Sequence, residues 1–154
     1  MAIEAVRKHL SAFNKASDIM EFETSSATVE LAALAVGVEP ARIAKTLSFR
    51  NEDSGMLVVV AGDAKIDNAK FKNQFGFKAR MLTPDEVLHY TGHAVGGVCP
   101  FGLKEEIPVF LDASLKRFET VYPACGSSNS AIRVDLEELA TYSGTDQWVD
   151  VCKW

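Results

Sequence analysis

Three stretches of this chain combine residue types that can do chemistry. The first centres on Lys45. In a strand over residues 43–49, alternate side chains share a face, so Lys45 falls with Leu47 and Phe49 while Ala44, Thr46 and Ser48 take the other face. An ammonium among large apolar side chains is costly to bury unless it is paired or its pKa falls. A pocket that receives an anion resolves the conflict, and so does a stem that snorkels to solvent. The second stretch, residues 91–102, reads Thr-Gly-His-Ala-Val-Gly-Gly-Val-Cys-Pro-Phe-Gly. Glycine lets backbone approach a ligand closely and proline stiffens the path. Backbone N–H groups converging from such a loop can stabilise a tetrahedral oxyanion, although a tight structural crossover has the same composition. The third stretch, Cys125-Gly126-Ser127-Ser128-Asn129-Ser130, offers small hydroxyls and an amide, and is equally the composition of a plain turn.

Conventional catalytic sets are weak or missing. His93 and Cys99 could form a thiolate–imidazole pair, but they share one loop and nothing local supplies a third, orienting group. His9 and His89 lack ligand-spaced partners, and the acidic residues are scattered, so neither a metal site nor a paired-carboxylate glycosidase is expected. The 3 cysteines, Cys99, Cys125 and Cys152, are widely spaced with no C-x-x-C, which disfavours a disulfide framework and points to reduced thiols in the cytoplasm. Neither G-x-G-x-x-G nor G-x-x-x-x-G-K-[ST] occurs, so dinucleotide and P-loop sites are disfavoured and no cofactor is expected.

The elements that must position these residues are marked by periodicity and punctuation. Ile3, Val6, Leu10 and Phe13 define one face of an amphipathic helix in residues 1–13. An Ala-rich run over 29–36 follows Thr28 and stops at Gly37, a helix with both ends marked. Residues 39–42 suggest a short helical turn. Strands over 43–50 and 56–62 flank turn-forming residues, which predicts a hairpin. Asp67 caps a helix carrying Phe71 and Phe75 and ending at Gly76. Residues 78–82 look like a short strand. Thr83-Pro84-Asp85-Glu86 joins an N-cap, an early proline and a capping-box glutamate, opening a helix that stops near Gly92. A strand over 107–111 leads to Asp112, which caps a short turn. Strands over 119–124 and 130–134 predict a second hairpin around the third chemical stretch. Asp135 and Glu138 form another capping box, Gly144 ends that helix, and residues 148–152 suggest an edge strand. Strands interleaved with helices, with adjacent hairpin strands, predict a mixed α/β fold: one compact domain over residues 1–154, its partly antiparallel sheet flanked by helices.

Composition limits the partners. Apolar residues make up 47% and charged residues 24%, ordinary for a globular protein and unlike a disordered chain. No segment approaches the length of an apolar membrane span, and the N-terminal segment lacks a signal-peptide core. A net charge of −5 argues against a broad polybasic nucleic-acid binder. Locally, however, Lys65, Lys70, Lys72, Lys78 and Arg80 stand against only Asp63 and Asp67, a basic segment able to contact a tRNA backbone or to serve as a solvated helix face.

Arg42-Ile43-Ala44-Lys45-Thr46-Leu47, then Val58-Val59-Val60-Ala61-Gly62-Asp63, then Gly-Gly-Val-Cys-Pro-Phe-Gly ending at Gly102, resembles the YbaK family of prolyl-tRNA synthetase-associated editing domains. Order and spacing agree over residues 22–134. The resemblance implies a mixed α/β fold and a hydrolase that deacylates mischarged aminoacyl-tRNA, commonly tRNA for proline carrying cysteine, alanine or another small amino acid. It implies that Lys45 engages the 3′-terminal nucleotide and its phosphate. It matches the family's G-x-x-x-P motif to Gly96, Gly97, Val98, Cys99 and Pro100, whose backbone would position the carbonyl and the attacking water. It places Thr46, Gly126, Ser127 and Asn129 around the pocket, with Cys99 a loop residue and not a nucleophile. It further implies aminoacyl-tRNA as substrate and prolyl-tRNA synthetase as a partner. Some members carry a carboxylate after the hairpin glycine; residues 127–131 here hold none, so the amino acid removed does not transfer. A non-catalytic module that binds tRNA ends or a synthetase would share the same lysine and loop.

Overall fold

The computed structural model describes residues 2–154, so Met1, at the head of the predicted N-terminal helix, lies outside the described residues. Helix α1 (Ala2–Ser11) buries Ile3, Val6 and Leu10, while Phe13 lies beyond its end and is partly exposed. A short strand β1 (Met20–Glu21) leads to α2 (Val29–Val36), capped by Thr28, whose side chain accepts from Leu31 N–H, and ended by Gly37 in the left-handed region. After a 3₁₀ turn (Pro40–Arg42) the chain forms the hairpin β2 (Ile43–Asn51) and β3 (Ser54–Ala61). Its register, Lys45 opposite Val60 through Asn51 opposite Ser54, leaves only Glu52 and Asp53 in the loop. Next come β4 (Lys65–Ile66), α3 (Asn68–Phe75), α4 (Pro84–Thr91) with its full capping box, and β5 (Val109–Asp112). The chain ends with β6 (Thr120–Pro123), β7 (Ser130–Ala131), β8 (Val134–Asp135), the capping-box helix α5 (Leu136–Ser143), β9 (Trp148–Val149) and β10 (Cys152–Lys153).

The main sheet has the order β8-β6-β2-β3-β5-β9. The pairs β2–β3 and β6–β8 are antiparallel, whereas β2–β6, β3–β5 and β5–β9 are parallel. The mixed α/β expectation is therefore met. Every residue of β3 from Gly55 to Ala61 is buried, which explains an unbroken apolar run in place of alternation: both faces of this strand are covered. Helix α3 covers one region of the sheet through aromatic contacts. Phe71 lies 4.9 Å from Phe49 of β2 and Phe75 lies 4.9 Å from Phe110 of β5, ring centre to ring centre.

Three predicted elements differ. Residues 78–82 form only a single bridge, Met81 with Phe49, held by the bonds from Arg50 N–H to Arg80 O and from Leu82 N–H to Ser48 O. The second hairpin does not close as expected. Its arms meet as β6 and β8, but the intervening Ser130–Ala131 pairs with Met20–Glu21 of β1 instead. The predicted terminal strand splits at Asp150: Trp148–Val149 extends the main sheet, and Cys152–Lys153 pairs with β4. Buried Asp112 holds that split, accepting from Ser114 N–H and Val151 N–H at 2.8 Å each.

Candidate active site

Strand β2 has one edge fully bonded to β3 and a second edge that is interrupted. On that second edge β2 pairs with β6 only at Ile43 and Ala44. Farther along, Leu82 N–H donates to Ser48 O and Arg50 N–H donates to Arg80 O. Even-numbered residues therefore direct their backbone groups to this edge, and between the two pairings Thr46 has no strand partner. The gap opens into a cavity of about 370 Å³. Its walls come from the start of α2 (Ala27, Thr28, Val29, Ala32), from β2 (Lys45, Thr46, Leu47), from α4 (Pro84, Val87), from the glycine loop (Val95, Gly96, Val98) and from Ser130 and Ala131. That volume and a mostly apolar lining with few polar groups suit a small ligand.

Lys45 is half-buried in this wall. Its Nζ donates to Gly62 O at 3.4 Å, and among the described residues no carboxylate lies within ion-pair reach. Burial lowers its pKa, with Asp63 and Glu30 opposing from a distance. The carbonyl it reaches is held by close packing: a Cβ on Gly62 would lie 2.0 Å from Pro40 O. Thr46 Oγ1 is a buried polar atom in the same wall with no hydrogen-bond partner among the described residues. Neighbouring residues of a strand alternate faces, yet both Lys45 and Thr46 border the cavity, because it lies against the strand's open edge and takes in every residue from Ile43 to Ser48.

The glycine loop packs on the segment after Cys125. Gly97 N–H donates to Ala94 O and Gly126 N–H donates to Gly97 O, each at 3.0 Å. A Cβ on Gly97 would sit 2.7 Å from Ser127 N, so no larger residue fits without moving backbone. The N–H groups of Gly96 and Val98 take no part in these bonds, and both residues border the cavity. Thus Lys45, Thr46, Gly96 and Val98 come together at the cavity, while Gly97, Cys99 and Pro100 are buried behind it and support the loop.

The structure does not bring Cys99, Gly126, Ser127 or Asn129 to the cavity wall, contrary to the pocket positions implied for them. Gly126 faces α1, where a Cβ would lie 2.9 Å from the carbonyl carbon of Ala2. Ser127 Oγ donates within its own turn, and Asn129 Nδ2 donates to Phe22 O at 2.9 Å, tying this turn to the chain around β1. Together with Ser26 N–H donating to Ser128 O, these bonds build the far wall.

Cys99 is fully buried beside His93, with Sγ 3.6 Å from Nε2. That nitrogen lies 2.8 Å from Phe101 O, a carbonyl, so it carries the proton and cannot accept one from the thiol. Burial pushes the thiol up to about 12 and holds the imidazole below its ordinary value, so both groups stay neutral. The pair is a packing contact. Among the described residues no group of three or more His, Cys, Asp or Glu is placed to hold a metal ion, and no helix is long and apolar enough to cross a membrane.

The basic segment disperses. Lys65, Lys72, Lys78 and Arg80 are exposed, and Lys70 is tied to Asp150 and to Cys152 O at 3.1 and 2.9 Å. None lines the cavity. The cavity residues from α2 and α4 were not singled out from sequence, although the Thr28 and Thr83 caps that aim those helices were legible.

The aminoacyl-tRNA editing domain model matches residues 23–142. The chain is 59% identical over 154 residues to YwhH, an uncharacterized protein of Bacillus subtilis (strain 168), covering 99% of this chain and 98% of that one. It is 26% identical over 114 residues to a candidate Cys-tRNA(Pro)/Cys-tRNA(Cys) deacylase, EbsC, of Enterococcus faecalis, covering 73% of this chain and 70% of that protein. Among solved structures, a candidate trans-editing enzyme for prolyl tRNA synthetase superposes with a TM-score of 0.89 at 31% identity, covering 99% of this chain and 98% of the other.

Proposed function

The chain belongs to the aminoacyl-tRNA editing domain family, and from that premise we propose that it is a trans-editing deacylase that hydrolyses the ester of mischarged tRNA, with tRNA for proline carrying alanine or cysteine as the leading substrates. The observation that carries this reading is Lys45: a half-buried ammonium at a cavity wall with no carboxylate partner, an arrangement completed by an anion. The phosphate of the terminal adenosine supplies that anion. The aminoacyl group then reaches toward the glycine loop, where the N–H groups of Gly96 and Val98 face the carbonyl oxygen. Water adds to the carbonyl carbon, the C–O bond to the ribose breaks, and the ribose oxygen leaves with a proton.

An aminoacyl ester is activated relative to an amide, so positioning and carbonyl polarisation can supply much of the acceleration without an enzyme nucleophile. The neutral Cys99–His93 pair agrees with such a mechanism, and the ribose hydroxyl next to the ester is available as the proton relay. Among the described residues no carboxylate lines the cavity, and its walls around Leu47, Val87, Val95 and Val98 suit a small uncharged side chain. Prolyl-tRNA synthetase is the partner this reading favours, since an acidic chain is poorly equipped to select a whole tRNA by itself. The test is release of amino acid from a panel of tRNAs charged with alanine, cysteine, serine and proline. Release from the alanine or cysteine member, with the proline member left intact, is the expected result. Absence of release from every member overturns the reading.

A further inference from the structure

Lysines at directly paired positions of an antiparallel ribbon repel each other, because their side chains share one face at close range. Lys65 of β4 and Lys153 of β10 stand in that relation. Both are exposed, and among the described residues neither has a carboxylate within ion-pair reach. The ribbon lies near the Lys45 ammonium: Lys45 donates to Gly62 O, and Gly62 lies three residues before Lys65 along the chain. The charge of Lys65 is close enough to disfavour the Lys45 ammonium further. Beside the ribbon is Trp154, 56% exposed. The Arg117 guanidinium lies 4.8 Å and the Lys70 ammonium 5.9 Å from the centre of its ring. Both cations are anchored, Arg117 by two hydrogen bonds to Asp63 and Lys70 by Asp150 and Cys152 O.

We propose that the ribbon β4–β10, with Trp154 beside it, is the binding platform for the unpaired nucleotides that precede the terminal adenosine of the substrate. The inference rests on the deacylase reading for its substrate and extends it beyond the cavity. Lys65 and Lys153 are spaced to share backbone phosphates, and the indole offers a stacking surface that any base can use. Lys65 thereby separates from the rest of the basic segment. Arg80 sits at the opposite end of β2, bonded to Arg50, and contributes nothing to this surface.

The test uses the full chain with two probes, the ribo-oligonucleotide ACCA and adenosine 5′-monophosphate, together with charged tRNA. The Lys65→Ala/Lys153→Ala double variant and Trp154→Ala should each weaken ACCA binding about 10-fold while leaving the mononucleotide's affinity unchanged. The salt dependence of ACCA binding should flatten by about 0.7 in log–log slope for each lysine removed. Trp154→Phe should retain most of the affinity, which separates stacking from a loss of folding. With charged tRNA, KM should rise and kcat hold. Wild-type affinity for ACCA in the variants, equal loss for both probes, or no measurable ACCA binding by the wild type overturns the platform. A wild type that binds ACCA but releases no amino acid overturns the deacylase reading instead and leaves the platform standing.

Discussion

Lys45 and Cys99 are both titratable groups withdrawn from water, and both belong to motifs that suggest chemistry, yet their surroundings differ. Lys45 ends at a cavity wall with one carbonyl for a partner and, among the described residues, no counter-charge within ion-pair reach. Cys99 is sealed under the glycine loop, its thiol pushed up to about 12 and its histidine neighbour already donating to Phe101 O. One group is poised for an external anion, whereas the other has its needs met inside the protein. The contrast teaches that reactive residue types matter less than whether the fold leaves them with an unmet interaction beside open space.

The largest expected effect comes from removing the poised group. Lys45→Ala should lower kcat/KM for deacylation by about 100-fold or more, the scale of losing one charged contact to the reacting region. Lys45→Arg should recover part of it. Because burial lowers the Lys45 pKa, the ammonium is lost as pH rises toward the ordinary lysine value of 10.5, so the gap between wild type and Lys45→Ala should narrow in that direction. Affinity for adenosine 5′-monophosphate against pH reads this without interference from alkaline ester hydrolysis.

An intermediate effect should follow from Gly97→Ala, which leaves both contrasted groups in place and moves the loop between them. The new Cβ would meet Ser127 N at 2.7 Å. Displacing the neighbouring N–H groups by a fraction of an ångström should cost about 10-fold in kcat, with a lowered melting temperature. Activity unchanged in a well-folded Gly97→Ala protein would show that the loop backbone does not hold the carbonyl.

The smallest effect is expected at Cys99. Cys99→Ser should keep deacylation within about 3-fold and cost about 1 kcal/mol of stability as a buried substitution, read by chemical denaturation. A folded but inactive Cys99→Ser variant would erase the contrast and restore a thiol mechanism.

Much of the fold was legible because local rules governed it. The Thr83 and Asp135 capping boxes, the Asp67 cap and the Gly37, Gly76, Gly92 and Gly144 stops act within one turn of their helices, so neighbouring residues suffice to locate them. The β2–β3 hairpin likewise follows from two apolar runs and a turn. The second hairpin was misread because Ser130–Ala131 takes its partner from Met20–Glu21, more than a hundred residues away, and no local pattern reports that choice. At the candidate site, Lys45 and the glycine loop were found from residue type. That Thr46 shares the cavity with Lys45 despite strand alternation follows from the interrupted edge, which is a property of the strand's neighbours.

By itself, then, the sequence determined the element types, their ends and the two motifs that meet at the cavity, since propensity, capping and glycine chemistry are short-range. The tertiary structure alone decided which residues border the cavity, that Cys99 is a buried support and Asn129 a half-buried tie to the chain around β1, and that Lys65 and Lys153 stand opposite each other. Those outcomes depend on long-range pairing and on what space remains once the core has closed.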